Sequence, residues 1–113
     1  PDGDVGDLFA FTGQEAERAV PHMPILRRAI REAERLTITY IEASGHETHS
    51  DICPLALERA GRISTVIVWC EARAAFRTLR IDRLMALTET GETCPDDPTR
   101  SLAAFRAQQD DGV

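Results

Sequence analysis

"WCEARAAFRTLRIDRL", residues 69–84, decides how this chain is read. Its four arginines, Arg73, Arg77, Arg80 and Arg83, are spaced by four, three and three, the rhythm of one helix face. Phe76, Thr78, Leu79 and Ile81, however, are residues that strands favour. A helix over 71–84 would gather Ala72, Ala75, Phe76 and Leu79, but that stripe then runs into Arg80 and Arg83. A strand from about 76 puts Leu79 and Ile81 on one face and Arg80 and Asp82 on the other. Past Asp82 the apolar set becomes Leu84, Met85 and Leu87, which requires a bend or bulge near Arg83. The pattern favours a turn at 71–75 followed by a bent strand.

Upstream, "STVIVWC" (64–70) is almost continuously apolar and reads as a strand buried on both faces. Before it, "LTITYIEASGHETHSDICPLAL" alternates around Ser44-Gly45, which gives a hairpin with strands near 37–43 and 47–53 that ends at Pro54. Ile25, Leu26, Ala29, Ile30, Ala33 and Leu36 recur at helical spacing, so a helix is expected over about 25–35. Pro21, His22 and Pro24 mark a boundary before it. Residues 1–24 then form an acidic arm or linker, with one short element around Leu8-Phe9-Ala10-Phe11. Downstream, "DPTRSLAAFRAQQ" reads as a short helix that Asp97 or Thr99 can cap. One helix, about five short strands and a terminal helix make a mainly β, α+β domain built on a strongly bent sheet or barrel.

Charge is spread unevenly over the 113 residues. The net is −4 for residues 1–24, zero for 25–94 and −2 for 95–113, making −6 in all. A domain that grips long nucleic acid is ordinarily basic, so any anion site here must be local. All 13 basic residues are arginine, and this bias lowers the weight that any single arginine deserves. Cys53, Cys70 and Cys94 form no C-x-x-C pair and are expected as reduced, partly buried thiols of a cytoplasmic protein. No apolar stretch approaches the ~20 residues that span a bilayer. "PDGDVGDLFAFTG" has no basic n-region, so it is not read as a signal peptide.

Four segments in this order, "LRRAIREAERLTITY" (26–40), "SDICPLAL" (50–57), "VIVWCEAR" (66–73) and "FRTLRIDRL" (76–84), resemble the WYL-domain family of bacterial transcription regulators, in its YafY-like branch. The last is the most telling: Arg77, then Leu79, then Asp82-Arg83-Leu84. The resemblance covers residues 25–94 and settles 76–84 as a strand. It implies a small Sm- or SH3-like five-stranded β-barrel preceded by one helix, with residues 95–113 as C-terminal helix and tail. It also implies a sensor and oligomerisation unit for an N-terminal winged helix-turn-helix domain that this chain does not include. The chain departs from the family where the Trp-Tyr-Leu triplet falls at Ser64-Thr65-Val66, and where an expected aromatic is Leu79.

Arginine forks that converge on one point recognise phosphate or carboxylate. Arg77, Arg80 and Arg83 are therefore the candidate anion clamp, with His49 in support and Tyr40 as a stacking surface. Trp69 is a second aromatic able to stack, though both rings also suit half-buried packing. The bland alternative pairs the arginines with Glu71, Asp82 and Glu89 as surface ion pairs. His46-Glu47-Thr48-His49 is not H-E-x-x-H, and a hairpin loses the helical geometry of that zinc motif. His49, Asp51 and Cys53 share a strand face but have no second ligand cluster. No nucleophile elbow, phosphate loop or cofactor motif is present, and Cys70 reads as core. The expectation is a non-enzymatic, cofactor-free, homodimeric regulatory domain that senses a nucleotide or short single strand. The rival is a structural interaction module whose arginines are surface charge.

Overall fold

The computed structural model describes the backbone of residues 14–111 and the side chains of residues 21–110. The element expected around Leu8-Phe9-Ala10-Phe11 lies outside the described residues. The chain runs through α1 (Gln14–Glu32), β1 (Glu34–Ile41), β2 (Glu47–Ala60), β3 (Ile63–Cys70), β4 (Ala75–Arg80), β5 (Leu84–Thr93) and α2 (Leu102–Asp111). Short 3₁₀ turns stand at Ile81–Arg83 and Pro98–Arg100.

The strands form one antiparallel sheet in the order β4-β3-β2-β1-β5. Residues 76–84 are strand and turn, and the bend expected near Arg83 is the 3₁₀ turn itself. The closed Sm- or SH3-like barrel is not formed: among the described residues no ladder joins β4 to β5, and the sheet stays open. The reason lies in chain direction. β4 is antiparallel to β3, and β5 is antiparallel to β1, so β4 and β5 run the same way. They are the two halves of one bent strand, joined end to end rather than side by side. Because only residues 81–83 separate them, the two sheet edges meet at that corner and the sheet must curl.

Curling gives the sheet an inside. Leu36, Ile38 and Tyr40 of β1, Val66, Val68 and Cys70 of β3, and Leu79 of β4 alternate inward, joined by Ile52, Ile81 and Leu84. Leu26 and Ala29 of α1 close this core, both essentially inaccessible. Each large aliphatic side chain contributes about 1.5–3 kcal/mol by leaving water. β3 is covered on both sides, as its apolar run suggests: Val66, Ile67 and Val68 are all fully buried.

Two elements run longer than the sequence pattern suggests. β2 continues past Pro54 to Ala60, because the ladder to β3 shifts register between Pro54 and Ala56. A proline has no N–H to donate, and a bulge is where a strand tolerates that loss. α1 begins at Gln14 rather than near residue 25 and carries Pro21 and Pro24 inside it. Burial of Leu26 and Ala29 against the sheet offsets what those prolines cost the helix. The helix ends where Ala33 turns left-handed, with φ +54°.

The C-terminal segment crosses the outer face of the sheet. Asp97 accepts from Thr99 N–H (2.9 Å) and so caps the 3₁₀ turn, whereas the helix α2 is started by Ser101, whose Oγ accepts from Ala104 N–H (3.1 Å), rather than by Asp97 or Thr99 as expected. Phe105 then meets Phe76 edge-on (5.6 Å between centroids), and Phe76 meets Trp69 (5.1 Å). Arg100 lies over the Trp69 ring, 5.0 Å from its centroid, so this indole is packing surface and not an open platform.

Cys53 and Cys94 are joined by a disulfide with Cα atoms 6.0 Å apart, which corrects the expectation of three reduced thiols. Only Cys70 is a free, buried thiol among the described residues. A separation of 41 residues hides the proximity. β2 and β5 flank β1, and both cysteines come to the end where β1 starts: Leu36 pairs with Ile52, and Glu34 pairs with Thr93.

Two stability predictions follow from these features. Ala33 is exposed and left-handed, so Ala33→Gly should stabilise the domain by about 1 kcal/mol, read as a higher Tm; a lower Tm would contradict the assignment. Cys94→Ser, or a thiol reductant on the wild type, should each remove roughly 2–4 kcal/mol by freeing the unfolded chain. Equal melting curves with and without reductant would show that the bond contributes nothing.

Candidate functional site

Strand alternation sends the β4 arginines to different places. Arg77 shares the inward side of β4 with Leu79, and its guanidinium lies 5.5 Å from the centroid of the Tyr40 ring. Its two terminal nitrogens donate to the two carboxylate oxygens of Glu42, at 3.1 and 2.8 Å. Arg80, one position out of phase with Leu79, instead donates to both oxygens of Asp82, at 3.0 and 2.5 Å. Asp82 is only 4% exposed, so Arg80 is the counter-ion that a buried carboxylate requires. Arg83 sits in the 3₁₀ turn, and its side chain makes no hydrogen bond or ion pair among the described residues. Arg77 and Arg80 are thus held by different carboxylates, Glu42 and Asp82.

Tyr40 is not an open stacking surface either. It is 6% exposed, its ring is faced by Arg77, and its hydroxyl accepts from the backbone N–H of Arg80 at 3.0 Å. A base could reach the ring only by displacing Arg77. His49 pairs across the hairpin with Thr39, its Nδ1 lying 3.0 Å from Thr39 Oγ1 and its Nε2 3.4 Å from Glu47. The pleat puts that imidazole on the face opposite Thr48, so His49 borders the cavity described next without supporting Arg77.

What the fold does assemble is a cavity of about 210 Å³, lined by Glu42, Thr48, His49, Ser50, Cys70, Ala72, Arg73 and Arg77. It lies between the end of the β1–β2 hairpin and the β3–β4 turn. The hairpin turn is closed by Glu42 N–H to His46 O and Gly45 N–H to Glu42 O, both 2.8 Å, with Gly45 at φ +90° where a side chain would be strained. Glu42 Oε2 also accepts from Thr48 Oγ1 at 2.9 Å and stands 3.8 Å from Arg73. The Arg77 hydrogen bonds hold the Glu42 carboxyl below its usual value against the opposing effect of burial, and the same pair raises Arg77.

Arg73 and Glu42 are the two cavity residues that sequence reasoning set aside or missed. Arg73 falls in the turn expected at 71–75, and its side chain is 55% exposed, but it stands 3.8 Å from the same carboxylate as Arg77. Glu42 gives no sequence signal, because β1 and β4 are not ladder neighbours and only the curl of the sheet brings residue 42 to residue 77. Among the described residues no group of three His, Cys, Asp or Glu side chains could hold a metal, and Cys53 of the period-two trio is committed to the disulfide.

The Tyr40 hydroxyl can be tested directly. Tyr40→Phe keeps the packing but leaves the Arg80 N–H without its acceptor, which should cost about 1–3 kcal/mol in chemical denaturation. An unchanged denaturation midpoint would mean that the bond holds nothing.

Comparison with known proteins bears on the fold. Among solved structures, proteasome accessory factor B/C (PafBC) of Arthrobacter aurescens is similar, with a TM-score of 0.67 and 24% identity. The similarity covers 72% of this chain and 13% of that one, and it speaks to the fold alone. A family model described as the WYL domain matches residues 21–89, more than half of the sequence. The bent-strand segment, the hairpin and the leading helix from residue 21 onward fall inside that match, and the chain belongs to the WYL-domain family.

Proposed function

We propose that this domain is the sensing unit of a bacterial transcription regulator, and that its cavity takes the anionic end of a small ligand such as a nucleotide or short single strand. One observation carries the reading: two arginines, Arg73 and Arg77, line a single cavity. Its volume is below the ~300–1,000 Å³ of pockets that enclose a whole ligand. The cavity therefore suits one phosphate or carboxylate, with the remainder of the molecule lying outside. Arg77 is the pre-set fork, since the Tyr40 ring lies against it, and Arg73 is the more exposed second cation. On this reading the role of the domain is to bind its ligand, with no chemical step assigned to it. In a homodimeric regulator, a bound ligand acts by preferring one arrangement of the dimer and of the attached DNA-binding domain over another.

A second reading, a structural interaction module without a ligand, draws support from a specific pair of facts. Arg77 and Arg80 are each already bonded to a carboxylate within the chain. Binding decides between the two readings. A labelled oligothymidylate, titrated by fluorescence anisotropy at low and moderate salt, should bind saturably and more weakly as salt rises. The Arg73→Ala/Arg77→Ala variant should lose at least about tenfold in affinity, since each charge-assisted contact is worth about 1.5–3 kcal/mol. Absence of saturable binding by the folded wild type would leave the structural module.

A further inference from the structure

We infer that Glu42 is a built-in competitor for the Arg77 fork, so that an anionic group enters the cavity only by displacing this carboxylate and engaging Arg73 as well. The inference rests on the anion-binding reading above and adds how that site is regulated and what it selects.

The geometry of Glu42 is that of a bound anion. Its two oxygens take the two Arg77 nitrogens side by side, the arrangement in which arginine holds phosphate or a ligand carboxylate. Thr48 Oγ1 supplies a third donor at 2.9 Å, and Arg73 stands 3.8 Å away. The Arg77 and Thr48 donors in this corner of the cavity are thus both engaged by a carboxylate of the chain itself. The occupant is also able to leave. Its backbone is fixed by the hairpin turn, but its carboxylate sits at the end of a side chain that can rotate towards solvent without unfolding anything. The fork would remain in place, because the Tyr40 ring lies against the guanidinium independently of Glu42.

Competition of this kind sets a threshold. A single small anion exchanges one carboxylate for another and gains little at Arg77. A ligand that bridges Arg77 and Arg73 makes a second charged contact that Glu42, at 3.8 Å, makes only loosely. Selection therefore favours a phosphodiester chain or a polyanionic end over a lone monoanion.

The test uses the whole chain and an oligothymidylate of about ten nucleotides, a length in the range of single-strand sites. Thymidylate is chosen because its bases carry no charge near neutral pH. Glu42→Gln should tighten binding about tenfold, and Thr48→Val, which loosens Glu42 without changing charge, should tighten it a few-fold. Asp96→Asn, an exposed substitution outside the cavity with the same change in charge, should alter affinity by less than about twofold. Folding of each variant is followed through the emission of Trp69, the sole tryptophan. If Glu42→Gln and Thr48→Val bind no better than wild type or Asp96→Asn, while Arg77→Ala still loses affinity, the anion site stands and the competitor is overturned. If no folded variant binds, the site reading fails and takes the competitor with it.

Discussion

The contact on which the rest of this structure depends runs between two strands that are not neighbours. Tyr40 of β1 reaches β4 twice, through its hydroxyl to the Arg80 N–H and through its ring to the Arg77 guanidinium. Two strands, β3 and β2, lie between β4 and β1 in the sheet. A flat sheet would hold the outer two about 14 Å apart, since neighbouring strands are spaced by 4.7–4.9 Å. These contacts are possible only because the sheet curls around its core. The same curl brings Glu42 to Arg77 and so makes the cavity. Packing and site are therefore one geometry: a change that flattened the sheet would open the core at Leu79 and separate the ion pair together.

How much of this could be read from the sequence depends on the range of the interaction concerned. The hairpin turn at Ser44-Gly45, the buried run 64–70 and the broken strand around Arg83 are local patterns, and each is found in the fold. The resemblance covering residues 25–94 supplied the choice of strand over helix for 76–84, which local pattern only favoured. Three things were not legible, each for a physical reason. The extent of α1 was misread because prolines signal boundaries on their own, whereas tertiary burial of Leu26 and Ala29 overrides them. The disulfide was missed because its spacing of 41 carries no motif. The separate partners of Arg77 and Arg80 were hidden because strand alternation sends the two side chains apart, towards carboxylates distant in sequence or buried nearby. Period-two parity had already placed Arg80 opposite Arg77, and that was the more reliable of the available signals.

The absence of a closed barrel also has a consequence for where partners could bind. An open antiparallel sheet keeps two edges, which chains ordinarily protect. Here β5 is shielded in part by α1: His22 Nε2 lies 2.8 Å from the Leu84 carbonyl oxygen, and Arg28 pairs with Glu89. The helix thus fills core space and covers edge at once, which gives a reason for a helix that persists through Pro21 and Pro24.

The far side of the cavity connects to the C-terminal segment through one residue. Glu71 opens the β3–β4 turn, donates its N–H to Asp51 O at 3.0 Å, and carries ion pairs to Arg35 at 3.4 Å and Arg100 at 3.5 Å. Arg100 in turn lies over Trp69 and follows shortly after Cys94, which the disulfide holds to β2. Two residues beyond Glu71 is Arg73, the more exposed cation of the cavity, followed by Ala74 in a left-handed conformation that an alanine adopts at some cost. On the proposed reading, a ligand that pulls Arg73 inward draws on a turn anchored at one end by the C-terminal segment and strained at the other. Its free energy of binding would then be shared with the docking of that segment on the outer face. A sensor needs such a shared element, since a ligand that contacts only a rigid wall can bind tightly and still shift nothing.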